Sequence, residues 1–179
     1  MKESLKTSIL REYAQLRKLA ERALEQTSDE AFDAKLGSED NSIAILVKHL
    51  IGNMRSRWTD FLTTDGEKAD RNRDSEFVIA ETEDRSQLMT RWRDAWSLLQ
   101  DALEPLSEED FARTVTIRGE SMTVVQACLR QLTHYATHVG QIVLLAKHHA
   151  GPDWKTLSVP RGKSEAYNGN PPPYLDKTT

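Results

Sequence analysis

The residues of this chain best suited to chemistry are histidines. It has five, and two of them, His134 and His138, stand four apart in QLTHYATHVGQIVLLAKHH, residues 131–149. Apolar residues recur through that stretch at helical spacing. A helix turns about 100° per residue, so both imidazoles leave one face, a turn apart. That placement lets two rings grip one ion, yet a stably held zinc-like ion generally needs three or more ligands. His148 and His149 fall in the last turn of the same helix, where its dipole favours positive charge and exposure is expected. The remaining one, His49, lies in AILVKHLIGN, within the most apolar part of the chain. An imidazole buried there must be hydrogen-bonded or metal-bound, because an unsatisfied buried polar group costs on the order of a few kcal/mol. Two readings follow from residue type and spacing. Either His49 is a core histidine bonded to a carbonyl beside a surface pair, or the three are arms of one metal site.

Four long helices would carry these residues. Leu5, Ile9, Tyr13, Leu16, Ala20 and Ala23 lay one apolar stripe on a first helix from about Lys2 to Glu25. TSDE at 27–30 resembles a capping box for a short helical turn. A second helix, SIAILVKHLIGNMRSRWTDFL, starts at Asn41 or Ser42 and runs to Leu62. The polar run TTDGEKADRNRDSEF reads as an ordered loop or a solvated excursion. A third helix begins near Glu83 to Ser86, carries Leu88, Trp92, Trp96, Leu99 and Leu103, and is stopped by Pro105. A turn capped by Ser107 and a short alternating segment, Thr114 to Ile117, precede a fourth helix from about Ser121 to His149. The order of residues in 27–45 is echoed in 106–124, which suggests two related helix pairs. The Gly- and Pro-rich remainder reads as an extended tail, laid over the helices by Trp154, Leu157 and Tyr167. The expectation is an all-α four-helix bundle over residues 1–150 with an irregular C-terminal tail over 151–179.

With 38% hydrophobic and 29% charged residues, the 179-residue chain suits one globular domain. A net charge of −4, with 24 basic residues interleaved among 28 acidic ones, argues against nucleic-acid or anionic-membrane partners. Apolar runs such as IAILV and IVLLA are too short for a membrane span, and the N-terminus lacks the apolar core of a signal peptide. One cysteine excludes an internal disulfide. A cytoplasmic protein is the expectation. Cys128 lies about 120° around the helix from His134 and reads as a small buried side chain rather than a nucleophile.

A histidine in the second helix, followed on the last long helix by HYATHVGQI, resembles the DinB superfamily. The resemblance spans roughly residues 1–150, and its specific part is the triad with the H-x-x-x-H-x-G-Q-I run. It implies an up-down-down-up bundle holding a divalent metal, zinc or nickel, on His49, His134 and His138, with Gly140 and Gln141 matching the residues that follow the pair. It also implies metal-dependent chemistry. Low-molecular-weight thiol S-transfer, with thiols such as bacillithiol or mycothiol, ranks ahead of hydrolysis, and a non-catalytic or stress-related metal-binding module is the third reading. A homodimer is expected by the same likeness, the more so were Trp58 and Trp92 exposed.

Residues beside the triad complete the reading. Asn53 follows His49 by one turn and can orient it or face the metal; Gln141 can hold a ring nitrogen of His138, and Gln131 one of His134. Asp65, Glu67 and Asp74 are the loop carboxylates that a closed, four-ligand site would draw on. Arg161 and Lys163 would reach a cofactor carboxylate only with the tail folded over the site.

Overall fold

The computed structural model describes residues 4–170; Lys2 and the part of the tail beyond 170 lie outside them. Helix α1 (Leu5–Leu24) starts at Ser4, whose hydroxyl accepts from the Thr7 amide, and buries Ile9, Tyr13, Ala20, Ala23 and Leu24. A one-turn α2 (Asp29–Asp33) is capped by Ser28, one residue later than the Thr27 start read from TSDE, and seats Phe32 in the core. Helix α3 (Ile43–Trp58) is capped by Ser42 and buried almost all round. It ends four residues short of Leu62, because Thr59 is extended and Asp60 takes a positive φ of 46°. Helix α4 (Arg85–Leu103) opens with a reciprocal Asp84–Gln87 capping box.

The fourth long helix begins later than its apolar pattern predicts. Residues 120–123 pair instead with the alternating segment before them. Strands β1 (Thr114–Ile117) and β2 (Glu120–Thr123) form an antiparallel hairpin in which Val115 faces Met122. Arg118 (φ 57°) and Gly119 (φ 75°) supply its two-residue turn, both left-handed as such a hairpin requires. The corresponding connector after α2 has no strand, so the two echoed segments differ here. Helix α5 (Val124–Ala150) opens with a Thr123–Gln126 capping box and stops at Gly151, whose φ of 53° suits glycine. The tail carries a short α6 (Ser164–Gly169). Trp154 and Leu157 are half-buried against the core, whereas Tyr167 is exposed. Gln26 in turn bonds the Lys155 backbone twice, and Arg22 donates to the Leu157 carbonyl.

The fold is thus mostly helical, with four long helices around one core. Helix α1 packs chiefly on α5, and α3 chiefly on α4, while α3 also meets α5 face to face. No described helix is long and apolar enough to cross a membrane.

An aromatic cluster sets the rotation of α5 against its neighbours. The Tyr13 hydroxyl donates to the Cys128 carbonyl at 2.8 Å, and Trp58 Nε1 donates to the Tyr135 hydroxyl at 3.0 Å. Trp96 meets Tyr135 edge-on, and Trp92 meets Trp96 in the same way. Trp58, Trp92 and Trp96 are all buried in the core, so they offer no surface to a second copy, and the tryptophan argument for a dimer falls. Replacing fully buried Trp92 by Ala should cost about 3–5 kcal/mol of stability. Urea unfolding checks this, and a cost under 1 kcal/mol would contradict the packing.

Candidate metal centre

Helix α3 contributes His49 and α5 contributes His134 and His138, and the contact between the two helices brings the three rings together. Ring centroids lie 5.3 Å apart for His49–His134, 4.9 Å for His49–His138 and 4.6 Å for His134–His138. One nitrogen from each ring falls within 4.8 Å of the other two, and no other His, Cys, Asp or Glu joins this group among the described residues. His49 is buried, while His134 and His138 are half-buried.

The other edge of each ring on α3 and α5 decides which nitrogen is free. His49 Nδ1 lies 2.8 Å from Glu76 Oε2. An ionised carboxylate only accepts, so the Nδ1 proton is donated and the Nε2 lone pair is left for a ligand. His138 Nδ1 lies 2.7 Å from Gln141 Oε1 and is tied in the same sense. His134 Nε2 is buried and has no hydrogen-bond partner. A buried imidazole nitrogen without a partner is costly, and its ring stands beside two others whose Nε2 lone pairs are unspent. The residues present therefore fit a metal: three neutral donors of the type that suits zinc, nickel, iron or copper.

Glu76 comes from the charged run between α3 and α4, most of which is exposed while Gly66 and Glu76 are buried. Its last turn, a 3-10 helix over Asp74–Phe77, lies against α3 and buries the Glu76 side chain. Arg71 grips both carboxylate oxygens, Nε to Oε1 at 2.8 Å and Nη2 to Oε2 at 2.9 Å. Arg71 also pairs with Glu67, which is bonded by Arg57 on α3 and Arg118 in the hairpin turn, each at 2.9 Å. Phe77 packs on the His49 ring at 5.1 Å with the planes tilted by 31°, and the Arg73 guanidinium lies over the Phe77 ring at 5.0 Å. Gly52 explains how Glu76 comes so near. A Cβ at that position would stand 2.2 Å from Glu76 Oε1, so only glycine leaves room. Glycine inside a helix costs about 1 kcal/mol relative to alanine, and here the space it leaves is filled by the carboxylate.

Desolvation favours the neutral form of the two α5 rings. Burial, with His138 and His49 nearby, lowers the His134 pKa from 6.5 to about 4. Burial also lowers that of His138, against the opposing effect of Gln141. For Glu76, burial alone would raise the pKa. The His49 bond and the Arg71 guanidinium outweigh it, so the carboxyl is held below its usual range and stays ionised.

The other residues picked out by sequence take different positions. The partner of His49 is Glu76 rather than Asn53, whose buried Oδ1 has no hydrogen bond. Gln131 is likewise buried with Oε1 unpartnered. It lines, with Arg57, Gly66 and Ile117, a cavity of about 10 Å³, room for about one water and too small for a substrate. None of the three histidines lines that cavity. Asp65 accepts from the Arg118 and Gly119 amides at 2.8 Å each, Glu67 is held by arginines, and Asp74 opens the 3-10 turn. None of these carboxylates belongs to the histidine group. Arg161 and Lys163 are exposed on a tail tied to α1. Burial pushes the Cys128 thiol up to about 12, which keeps it protonated.

A mostly helical protein with three imidazoles converging from two helices is thereby defined. The chain belongs to the family described as protein of unknown function (DUF1572), whose model matches residues 2–163 and so takes in the three histidines, Gly52 and Glu76. None of the curated proteins matches it.

Because the folded-state pKa of His134 lies below its ordinary value, the unfolded chain takes up this proton first. The metal-free protein should lose stability as pH falls from 6.5 towards 4. Denaturant unfolding across that range should show a shallower loss for His134→Asn than for the wild type. Equal slopes would contradict the burial of Nε2.

Proposed function

We propose that this protein is a divalent-metal-binding four-helix bundle of the DinB type, with up-down-down-up connections, acting as a metal-dependent enzyme. The supporting observation is the convergence of three imidazoles of which His134 Nε2 is buried without a partner. His49, His134 and His138 would hold the ion, zinc or nickel, and Gln141 would orient His138 through Nδ1. Three protein donors, with no fourth within reach among the described residues, leave a coordination position open, the pattern of a catalytic rather than a closed structural site.

An ion held by neutral imidazoles supplies Lewis acidity that keeps a thiol or a water deprotonated near neutral pH. The protein's own residues bind and orient around it. The chain cannot provide the nucleophile from Cys128, its only cysteine, which is buried and held as the thiol. A nucleophile from outside is therefore needed, and the proposed reaction is transfer of a low-molecular-weight thiol to an electrophilic substrate approaching beside His134 and His138.

Elemental mass spectrometry on protein purified without a histidine tag should find about one equivalent of metal, and none in His49→Ala/His134→Ala. A wild type that carries no metal and takes up neither zinc nor nickel would sink the site. With metal bound, small thiols should be consumed by a soft electrophile in a chelator-sensitive manner. Metal-dependent ester hydrolysis without thiol consumption would assign hydrolysis instead.

A further inference from the structure

Glycine at position 52 and the carboxylate that fills its place are the least expected features of the metal centre. Helix α3 is buried over most of its length, yet three residues after His49 it gives up a side chain. The atom in that space is Oε1 of Glu76, a residue 24 positions further on and buried to 5% exposure. Helix propensity would favour alanine there, so the space serves the approach of Glu76.

Glu76 itself is neither a ligand nor a base. Oε1 accepts from Arg71 Nε, and Oε2 accepts from both Arg71 Nη2 and His49 Nδ1. It lies outside the histidine group. With its oxygens occupied and a guanidinium laid along both, it has no reason to take a proton from His49. It can only receive the Nδ1 hydrogen bond and fix the plane of the ring, with Phe77 packed on one face. Arg71 in turn cannot swing away, because Glu67 holds it and is itself bonded by Arg57 and Arg118. Free imidazole would otherwise divide its proton between two tautomers, one of which blocks Nε2.

Resting on the metal-binding reading above, we propose that Glu76, clamped by Arg71 and admitted by Gly52, is the positioning residue of the metal centre. It holds His49 in the Nδ1–H tautomer with its Nε2 lone pair turned to His134 and His138. A carboxylate in this role orients the ring and strengthens it as a donor, and losing such a partner typically weakens metal binding about 10–100-fold.

The test reads the tautomer directly, in metal-free protein, from the ¹⁵N shifts of the His49 ring, and separately reads zinc affinity by chelator competition. Wild type should show Nδ1–H. Gly52→Ala forces Glu76 aside while improving the helix, so it should fold normally. It should nonetheless shift His49 towards Nε2–H and weaken zinc about 10–100-fold. Arg71→Met/Glu76→Leu removes both charges together, avoids an unpaired buried ion, and should do the same. Gly52→Ala decides alone if the double variant fails to fold. Unchanged tautomer and affinity in folded Gly52→Ala would overturn the proposal. A wild type with the Nδ1–H tautomer but no zinc uptake would overturn the metal-binding reading and leave no affinity for the variants to lose. The two failures are therefore distinct.

Discussion

The centre of this molecule depends on one constraint: an imidazole placed in the most apolar stretch of the chain needs a use for both of its nitrogens. His49 is nearly without solvent, and a buried polar group without a partner is expensive. One nitrogen is satisfied by the Glu76 carboxylate. The other edge faces two further imidazoles on α5, one with its own buried, unpartnered Nε2. A shared metal cation could engage one nitrogen from each of the three rings at once.

That arrangement draws the loop between α3 and α4 into the structure. A segment of such charge would ordinarily stay in water. Here Asp70, Arg73 and Asp74 do stay exposed, while Glu76, Arg71 and Glu67 are linked in a chain of pairs that ends on Arg57 and Arg118, and Asp65 caps the hairpin turn. Buried ion pairs add little net stability because desolvation offsets their attraction. Their effect is geometric, in that they fix one carboxylate against one imidazole and tie the hairpin to the same place. The aromatic cluster does the equivalent for α5. With Tyr135 held between Trp58 and Trp96, the neighbouring His134 and the ring one turn on are presented towards α3.

The local rules of the chain account for much of this. Ser42 caps α3 and Asp84 caps α4 within the starts read for them, and the apolar stripe of α4 is buried, as is that of α1 except for exposed Leu5 and half-buried Leu16. Boundaries failed where a local pattern met a competing partner. Thr59 and Asp60 break α3 although WTDFL continues its apolar spacing. Residues 120–123 join a hairpin rather than α5, because β1 offers them backbone partners that a helix start lacks. Among the site residues, Gln141 stood out through its distance of one turn from His138. Glu76 and Arg71 did not, since a carboxylate within a charged run carries no mark of burial. The available signals were Gly52 in the middle of a buried helix and Phe77 at the end of a polar segment.

By itself, then, the sequence determined the helical class, the three histidines and the inert cysteine. The class follows from periodicity and the cysteine from its place on the helix, while the triad, which residue spacing left as one of two readings, follows from the resemblance carried by His49 and HYATHVGQI. Only the tertiary structure decided which nitrogen of His49 and of His138 is free and that Glu76, not Asn53, holds His49. It also decided that one carboxylate of a charged loop is buried against α3 and that Trp58, Trp92 and Trp96 face inward. The reason is physical. Periodicity encodes which face of an element is buried, whereas tautomers and ion pairs depend on contacts between segments tens of residues apart, which exist only once the elements have packed.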